Sequence, residues 1–214
     1  MIERFFTKVK FKNRTQECVK VRISGKDYTD CCNKSEVVTW SREQSQKLGD
    51  YAFGKANTQN DPFLVERTGK LGELAFAAVV NIKNDVDYNY KKNGDGGVDF
   101  ALNYKIDLKV ATKRQSWESS LIRSVNERGV TINLKSDIYV AGYKAAENKD
   151  DKWAEIILTG YLTKDEVNQL PNVPARRGEH KNKEMTWGNL RSMKELLPLC
   201  IKQEPISQVS LLQK

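Results

Sequence analysis

The chain has 214 residues, of which 36 are Lys or Arg and 28 are Asp or Glu, so its formal net charge at pH 7 is +8. It has no run of about 18 apolar residues, which argues against a transmembrane helix. Its first residues lack the apolar core and cleavage site of a secretory signal, so we expect a cytoplasmic protein. The positive charge favours a polyanionic partner such as nucleic acid without specifying one.

The cysteines and the single histidine limit the chemistry. Cys31 and Cys32 are adjacent, Cys18 and Cys200 stand alone, and no CxxC pair is present. This spacing predicts no zinc site, and the thiols are expected to be reduced. A Ser-His-Asp or Cys-His mechanism would depend on His180, which lies in a strongly polar segment. Acid-base chemistry is therefore expected from carboxylates, lysine or metal-bound water.

The first 40 residues are predicted to form short strands and turns, because the segments KVKF, CVKVRI and EVVTW alternate apolar and polar residues. Ser41 followed by Gln44 has the spacing of a capping box. It predicts a helix that extends to about Lys55.

A second helix is predicted from Pro62, with Asp61 as its N-cap. Apolar residues then recur at helical spacing from Leu71 to Ile82. Two early glycines weaken the first turns, so the firm part of this helix is expected to begin near Thr68.

The stretch GVDFALNYKIDLKVATKR, residues 97–114, is predicted to be a β-hairpin. On its second strand Ile106 and Leu108 point to one face, while Asp107 and Lys109 point to the other. Asp99 joins these two charges only if the connection has an odd number of residues or contains a bulge. We expect the register that sets Asp99 opposite Lys109.

Further along, residues 113–129 are mostly polar and are predicted to lack regular structure. The segments SDIYVAGY (136–143) and AEIILTGYL (154–162) are rich in β-branched and aromatic residues, which predicts two strands. Thr163 and Glu166 have capping-box spacing and predict a short helix. NLRSMKELL predicts another. The complete order predicts an α+β (mixed α/β) fold.

Two neighbouring carboxylates repel each other, and a divalent cation such as Mg²⁺ relieves this by taking both as oxygen ligands. A lysine beside them can orient a metal-bound water or offset charge on a phosphate. Asp99, Asp107 and Lys109 supply these groups. The alternative is a solvated ion pair on an exposed strand.

The spacing Asp99, then seven residues, then Asp107-Leu-Lys109 resembles the PD-(D/E)xK nuclease superfamily, with Val98 where its namesake proline stands. The resemblance covers residues 62–170. It implies a restriction-endonuclease-like core with a central mixed sheet flanked by helices. It also implies that Asp99 and Asp107 bind Mg²⁺, for which Mn²⁺ can substitute, and that Lys109 positions the nucleophile. Glu73 on the preceding helix would assist, with Glu66 and Asp95 as weaker candidates.

The resemblance implies a metal-dependent endonuclease that acts on DNA and needs no organic cofactor. Residues 1–60 would be a β-rich extension for DNA recognition or dimerisation, and residues 61–214 the nuclease core. A homodimer and a monomer are both consistent with the sequence. A non-enzymatic DNA-binding protein, an RNA nuclease and a structural interaction protein remain alternatives. Weaker candidates for phosphate contacts are Lys113, Arg114, Gln115, Arg176 and Arg177.

Overall fold

The computed structural model describes residues 1–11, 14–47, 62–82, 86–89, 97–112, 119–126, 128–175 and 180–200. These residues form nine strands and four helices. In chain order they are β1 (Ile2–Phe11), β2 (Arg14–Ser24), α1 (Gly25–Lys47), α2 (Pro62–Val79), β3 (Phe100–Ala101), β4 (Lys105–Ala111), β5 (Ser119–Val125), β6 (Ile138–Asn148), β7 (Trp153–Thr163), α3 (Lys164–Gln169), β8 (Asn172–Pro174), β9 (Lys181–Thr186) and α4 (Met193–Cys200).

Six strands form a mixed sheet in the order β1-β2-β7-β6-β4-β3. β4 and β6 are parallel, and the other neighbouring strands are antiparallel. A second, antiparallel sheet has the order β5-β9-β8. The protein is therefore of the mixed α+β class, with a central mixed sheet flanked by helices, as the sequence predicts.

One face of the large sheet packs against α1, α2 and α4. Tyr28 of α1, Phe76 of α2 and Leu196 of α4 lie in one buried cluster with Val140 of β6 and Ile156 of β7. Burial of an aliphatic or aromatic side chain of this size contributes about 1.5–3 kcal/mol. This core fixes the helices against the strands that carry the candidate site.

The opposite face is covered by α3 and the small sheet. Tyr139 and Leu162 of the large sheet pack with Ile122 of β5, Met185 of β9 and Val167 of α3. The large sheet is therefore the middle layer of three.

The N-terminal strands are part of the large sheet. KVKF lies in β1 and CVKVRI in β2, which confirms these two predicted strands. The second half of β2, from Val19 to Ser24, pairs with β7. The predicted boundary near residue 60 falls outside the described part of the chain.

The segment EVVTW does not form a strand, and the helix predicted from Ser41 begins much earlier. EVVTW and residues 41–47 belong to α1, which begins at Gly25, and the predicted end near Lys55 lies outside the described residues. Ser41 donates a side-chain hydrogen bond to the carbonyl of Val37 inside this helix, so it is not an N-cap. Tyr28, Cys31 and Val38 are buried at helical spacing, because α1 packs against α2.

α2 begins at Pro62, as predicted, and runs without interruption to Val79. Its glycines do not break it, so the expected later start near Thr68 is wrong. Ile82 lies beyond its last residue, and the predicted N-cap Asp61 lies outside the described residues.

Downstream, β6 and β7 confirm the two predicted strands. Thr163 is the N-cap of α3, and its capping box with Glu166 is complete. The predicted C-terminal helix is present as α4. By contrast, β5 lies in a segment predicted to be irregular, and β9 lies in a polar segment in which no strand is predicted. Among the described residues no helix is long and apolar enough to cross a membrane.

Candidate functional site

β4 carries Asp107 and Lys109 on the sheet face opposite the helices. These residues lie beside Tyr139 and Ala141 of β6, which belong to the core under the small sheet. Asp107 is only 4% exposed. Nζ of Lys109 lies 2.6 Å from Oδ1 of its carboxylate. Because the aspartate is buried, this pair differs from the solvated strand pair that the sequence left open as the alternative.

The hairpin that leads into β4 has the predicted odd connection, three residues at 102–104, but its register differs from the prediction. Phe100 pairs with Ile106 and Ala101 pairs with Lys105. Asp99 lies just outside β3, and its backbone N–H bonds to Ile106, the partner of Phe100, so it is not set opposite the predicted partner Lys109.

Asp99 immediately precedes β3 and is hydrogen-bonded to β4. Its backbone N–H donates to the carbonyl of Ile106 at 2.8 Å, and its Oδ2 accepts from the N–H of Leu108 at 2.6 Å. Burial, together with the negative charges of Glu73 and Asp107, raises the pKa of its carboxyl group to about 8. The N–H of Leu108 and the charge of Lys109 act in the opposite direction.

Glu73 approaches the site because α2 packs closely on β4 and β3. A Cβ atom on Gly72 would lie 2.3 Å from Cγ2 of Val110, so only glycine permits this approach. On the next turn, the rings of Phe76 and Phe100 lie 5.4 Å apart. Glu73 lies between these two contacts and is 8% exposed. Its charge is the largest electrostatic influence on the pKa of Asp99.

Lys70 is a site residue that the sequence reasoning missed. Its Nζ lies 2.8 Å and 2.9 Å from the two carboxylate oxygens of Glu73. Burial lowers the pKa of Lys70, but attraction to Glu73, Glu66 and Asp99 together outweighs it, and the net pKa lies above its usual value. The available signal was the i, i+3 spacing of the two residues on α2.

No group of three or more His, Cys, Asp or Glu side chains in the described ranges is arranged to hold a metal ion. The donor set nevertheless fits one chemically. Asp99, Asp107 and Glu73 are hard oxygen donors, and their mutual repulsion disfavours ionisation of Asp99. A divalent cation would relieve this repulsion. Two lysine ammonium groups now offset part of that charge.

Of the weaker candidates, only Glu66 lies in the described part of the chain. Glu66 forms a 2.6 Å ion pair with Arg42 that links α2 to α1. Asp95 and the five predicted phosphate contacts, Lys113, Arg114, Gln115, Arg176 and Arg177, lie outside the described residues.

A second buried ion cluster, centred on Glu147, joins α1 and α2 to β6. Glu147 lies 3.1 Å from Nε of Arg67 and accepts a 2.8 Å hydrogen bond from the hydroxyl of Tyr28. Lys144 is its third partner. Burial opposes ionisation of Glu147, but these partners hold its pKa below the usual value. The cluster connects three elements of the core, and we assign it a structural role.

No protein-family model, curated protein or solved structure matches the chain.

Proposed function

We propose that the protein is a Mg²⁺-dependent endonuclease that hydrolyses phosphodiester bonds in DNA. The observation that carries the proposal is the buried cluster of Asp99, Asp107 and Glu73 with Lys109 at its edge. Buried carboxylates with perturbed pKa values are concentrated at functional sites. The net charge of +8 is consistent with a polyanionic substrate.

In this proposal Asp99 and Asp107 hold the cation, and Glu73 contributes directly or through water. The cation supplies a nucleophilic water of lowered pKa and offsets charge on the phosphate. Lys109 has a side chain that is 35% exposed, so its ammonium group can reach both Asp107 and a phosphate in solvent. It would orient the water and stabilise the negative charge of the transition state.

We also propose that the core has the restriction-endonuclease-like fold. The order α2, the acidic residue before β3, the Asp-Leu-Lys strand β4, and then β6 and β7 supports this. We further propose that two copies of the chain form a homodimer that cuts both strands of the DNA. Analytical ultracentrifugation would measure the oligomeric state of the protein in solution.

The test is incubation of supercoiled plasmid with the protein in Mg²⁺, in Mn²⁺ or with EDTA. We expect nicking or linearisation with either metal and none with EDTA. Asp107→Asn and Lys109→Met should abolish cleavage and leave most DNA affinity intact. Lys149→Met and Asp151→Asn are matched controls, because they have the same i, i+2 spacing on an exposed turn. Wild-type cleavage rates in the two site variants would overturn the proposal.

The same assay separates the alternatives. A metal-independent mobility shift without nicking would identify a DNA-binding protein that has no nuclease activity. Cleavage of RNA but not DNA, in parallel reactions, would identify an RNA nuclease. If the protein shows no salt-dependent affinity for either DNA or RNA, the result would favour a structural interaction protein.

A further inference from the structure

The ion pair between Lys70 and Glu73 is unusually buried for two charged residues one turn apart on a helix. Exposed i, i+3 pairs on helices are worth only a few tenths of a kcal/mol. This pair is largely buried, with side-chain exposures of 13% and 10%, and the ammonium group contacts both carboxylate oxygens. The pair therefore holds Glu73 in a defined orientation beside Asp99.

Other charges around Lys70 reinforce this position. Glu66 and Asp99 both attract its ammonium group. Its Nζ also lies 6.0 Å from the ring centroid of Tyr88. Glu66 is itself bound to Arg42, so Glu73 is the partner that Lys70 contacts directly.

We propose that Lys70 is a positioning residue that acts as an internal counter-cation, holding Glu73 in the metal-free site and competing with the divalent cation for it. This inference rests on the proposed function. Three carboxylates and two lysines leave one net negative charge when all are ionised. Neutralising Lys70 makes the site more negative and leaves Glu73 without that cation, so a divalent ion should bind more tightly.

Mn²⁺ binding in the absence of DNA tests this directly, by electron paramagnetic resonance of free Mn²⁺ or by calorimetry. Lys70→Met keeps the length of the side chain and removes its charge. We expect the Kd for Mn²⁺ to fall by at least about tenfold, because a unit charge a few ångströms from a divalent ion has about that effect even in bulk water, and burial strengthens it. Lys70→Gln should shift it in the same direction and serves if the methionine variant does not fold.

Lys144→Met is the matched control. Lys144 also pairs with a glutamate at i, i+3, and its side chain is 8% exposed, but it lies in the Glu147 cluster. This variant should lose stability and retain the wild-type Kd for Mn²⁺. A merely structural role for Lys70 would give the same result in both variants.

The outcomes separate the two proposals. An unchanged or weaker Kd in both Lys70 variants would overturn this inference, while Mn²⁺ binding that is lost in Asp107→Asn would still support the metal site. If neither the wild type nor the Lys70 variants bind Mn²⁺, both proposals fail. Tighter Mn²⁺ binding in the Lys70 variants, with an unchanged Kd in Lys144→Met, supports the inference even if the protein does not cut DNA.

Discussion

The backbone N–H of Leu108 donates a 2.6 Å hydrogen bond to Oδ2 of Asp99. β3 begins only at Phe100, which pairs with Ile106, so it does not pair with β4 beyond that residue. The side chain of Asp99 thus supplies an acceptor where the neighbouring strand supplies none. This bond ties the carboxylate to the strand that bears Asp107 and Lys109.

We expect the free energy of unfolding of the metal-free protein to depend on pH through Asp99. Its pKa is raised from 3.8 to about 8, so the folded state holds a proton that the unfolded state has released. This contribution to stability is complete below the unfolded pKa and is lost as the pH rises through about 8. The slope is at most about 1.4 kcal/mol per pH unit.

Urea unfolding in EDTA at pH values from 5 to 8 measures this slope. Asp99→Asn should flatten it, whereas Asp151→Asn, at an exposed turn position, should leave it unchanged. Equal slopes in wild type and Asp99→Asn would contradict the expected burial of a protonated carboxyl group.

Gly72→Ala should force α2 away from β4 and destabilise the protein by about 1–3 kcal/mol, the usual cost of overpacking. The added Cβ would lie 2.3 Å from Cγ2 of Val110. Gly69→Ala is the control, because its Cβ would meet no atom within 4 Å and should stabilise the helix by about 0.5–1 kcal/mol. Denaturant unfolding measures both. Adding Val110→Ala should recover part of the loss in Gly72→Ala, and no recovery would argue against this contact as the cause.

Glu147→Ala should destabilise the protein by about 3–5 kcal/mol, because it leaves the buried cations of Arg67 and Lys144 without their carboxylate. Glu155→Ala provides the comparison. Its ion pairs with Lys20 and Arg22 involve partly exposed side chains, so the loss should stay below about 1 kcal/mol. Similar losses in both variants, measured by urea unfolding, would mean that burial of the cluster adds nothing.

Thr163→Ala should cost about 1 kcal/mol of stability, because it removes the side-chain acceptor for the N–H of Glu166 at the start of α3. Thr163→Ser retains the hydroxyl and should stay close to the wild type. Thermal unfolding compares the two. A serine variant as unstable as the alanine variant would assign the loss to the methyl group instead of the cap.

The sequence predicts the strands β2, β6 and β7 and the helix α2 because each buries an apolar pattern of its own period. It fails for α1, where Val37 and Val38 suggest a strand by their local preference. In the structure Val38 is buried and Val37 is 63% exposed, as expected for neighbouring positions on a helix that packs one side against the core. Packing against α2 overrides the local preference, and that contact is invisible in a local segment.

The strands of the small sheet are not predicted from the sequence, for a different reason. β5 and β9 each bury very few apolar side chains, chiefly Ile122 and Met185, between polar neighbours. Such short patterns are indistinguishable from a polar loop. The strands form because they pair with each other and cover Tyr139 and Leu162 of the large sheet.

Within the site, Asp107 and Lys109 could be placed on one face, with Asp99 close by, from strand parity and the local hairpin alone. Their exact register could not, because it depends on which three residues form the connection. The approach of Glu73 depends on the close contact between Gly72 and Val110, which joins distant parts of the chain. Lys70 was missed because its role depends on that same contact.

The pairing of β2 with β7 has a consequence for how the chain is made. Val19 of β2 lies beside Leu158 of β7. The strand that completes the pairing of the β1–β2 hairpin is therefore synthesised more than 100 residues later. A lone two-stranded hairpin is only marginally stable in water. During translation the β1–β2 hairpin must therefore wait until β7 has left the ribosome, and the large sheet closes late. Ribosome-bound chains truncated before residue 153 should remain sensitive to protease at β1 and β2.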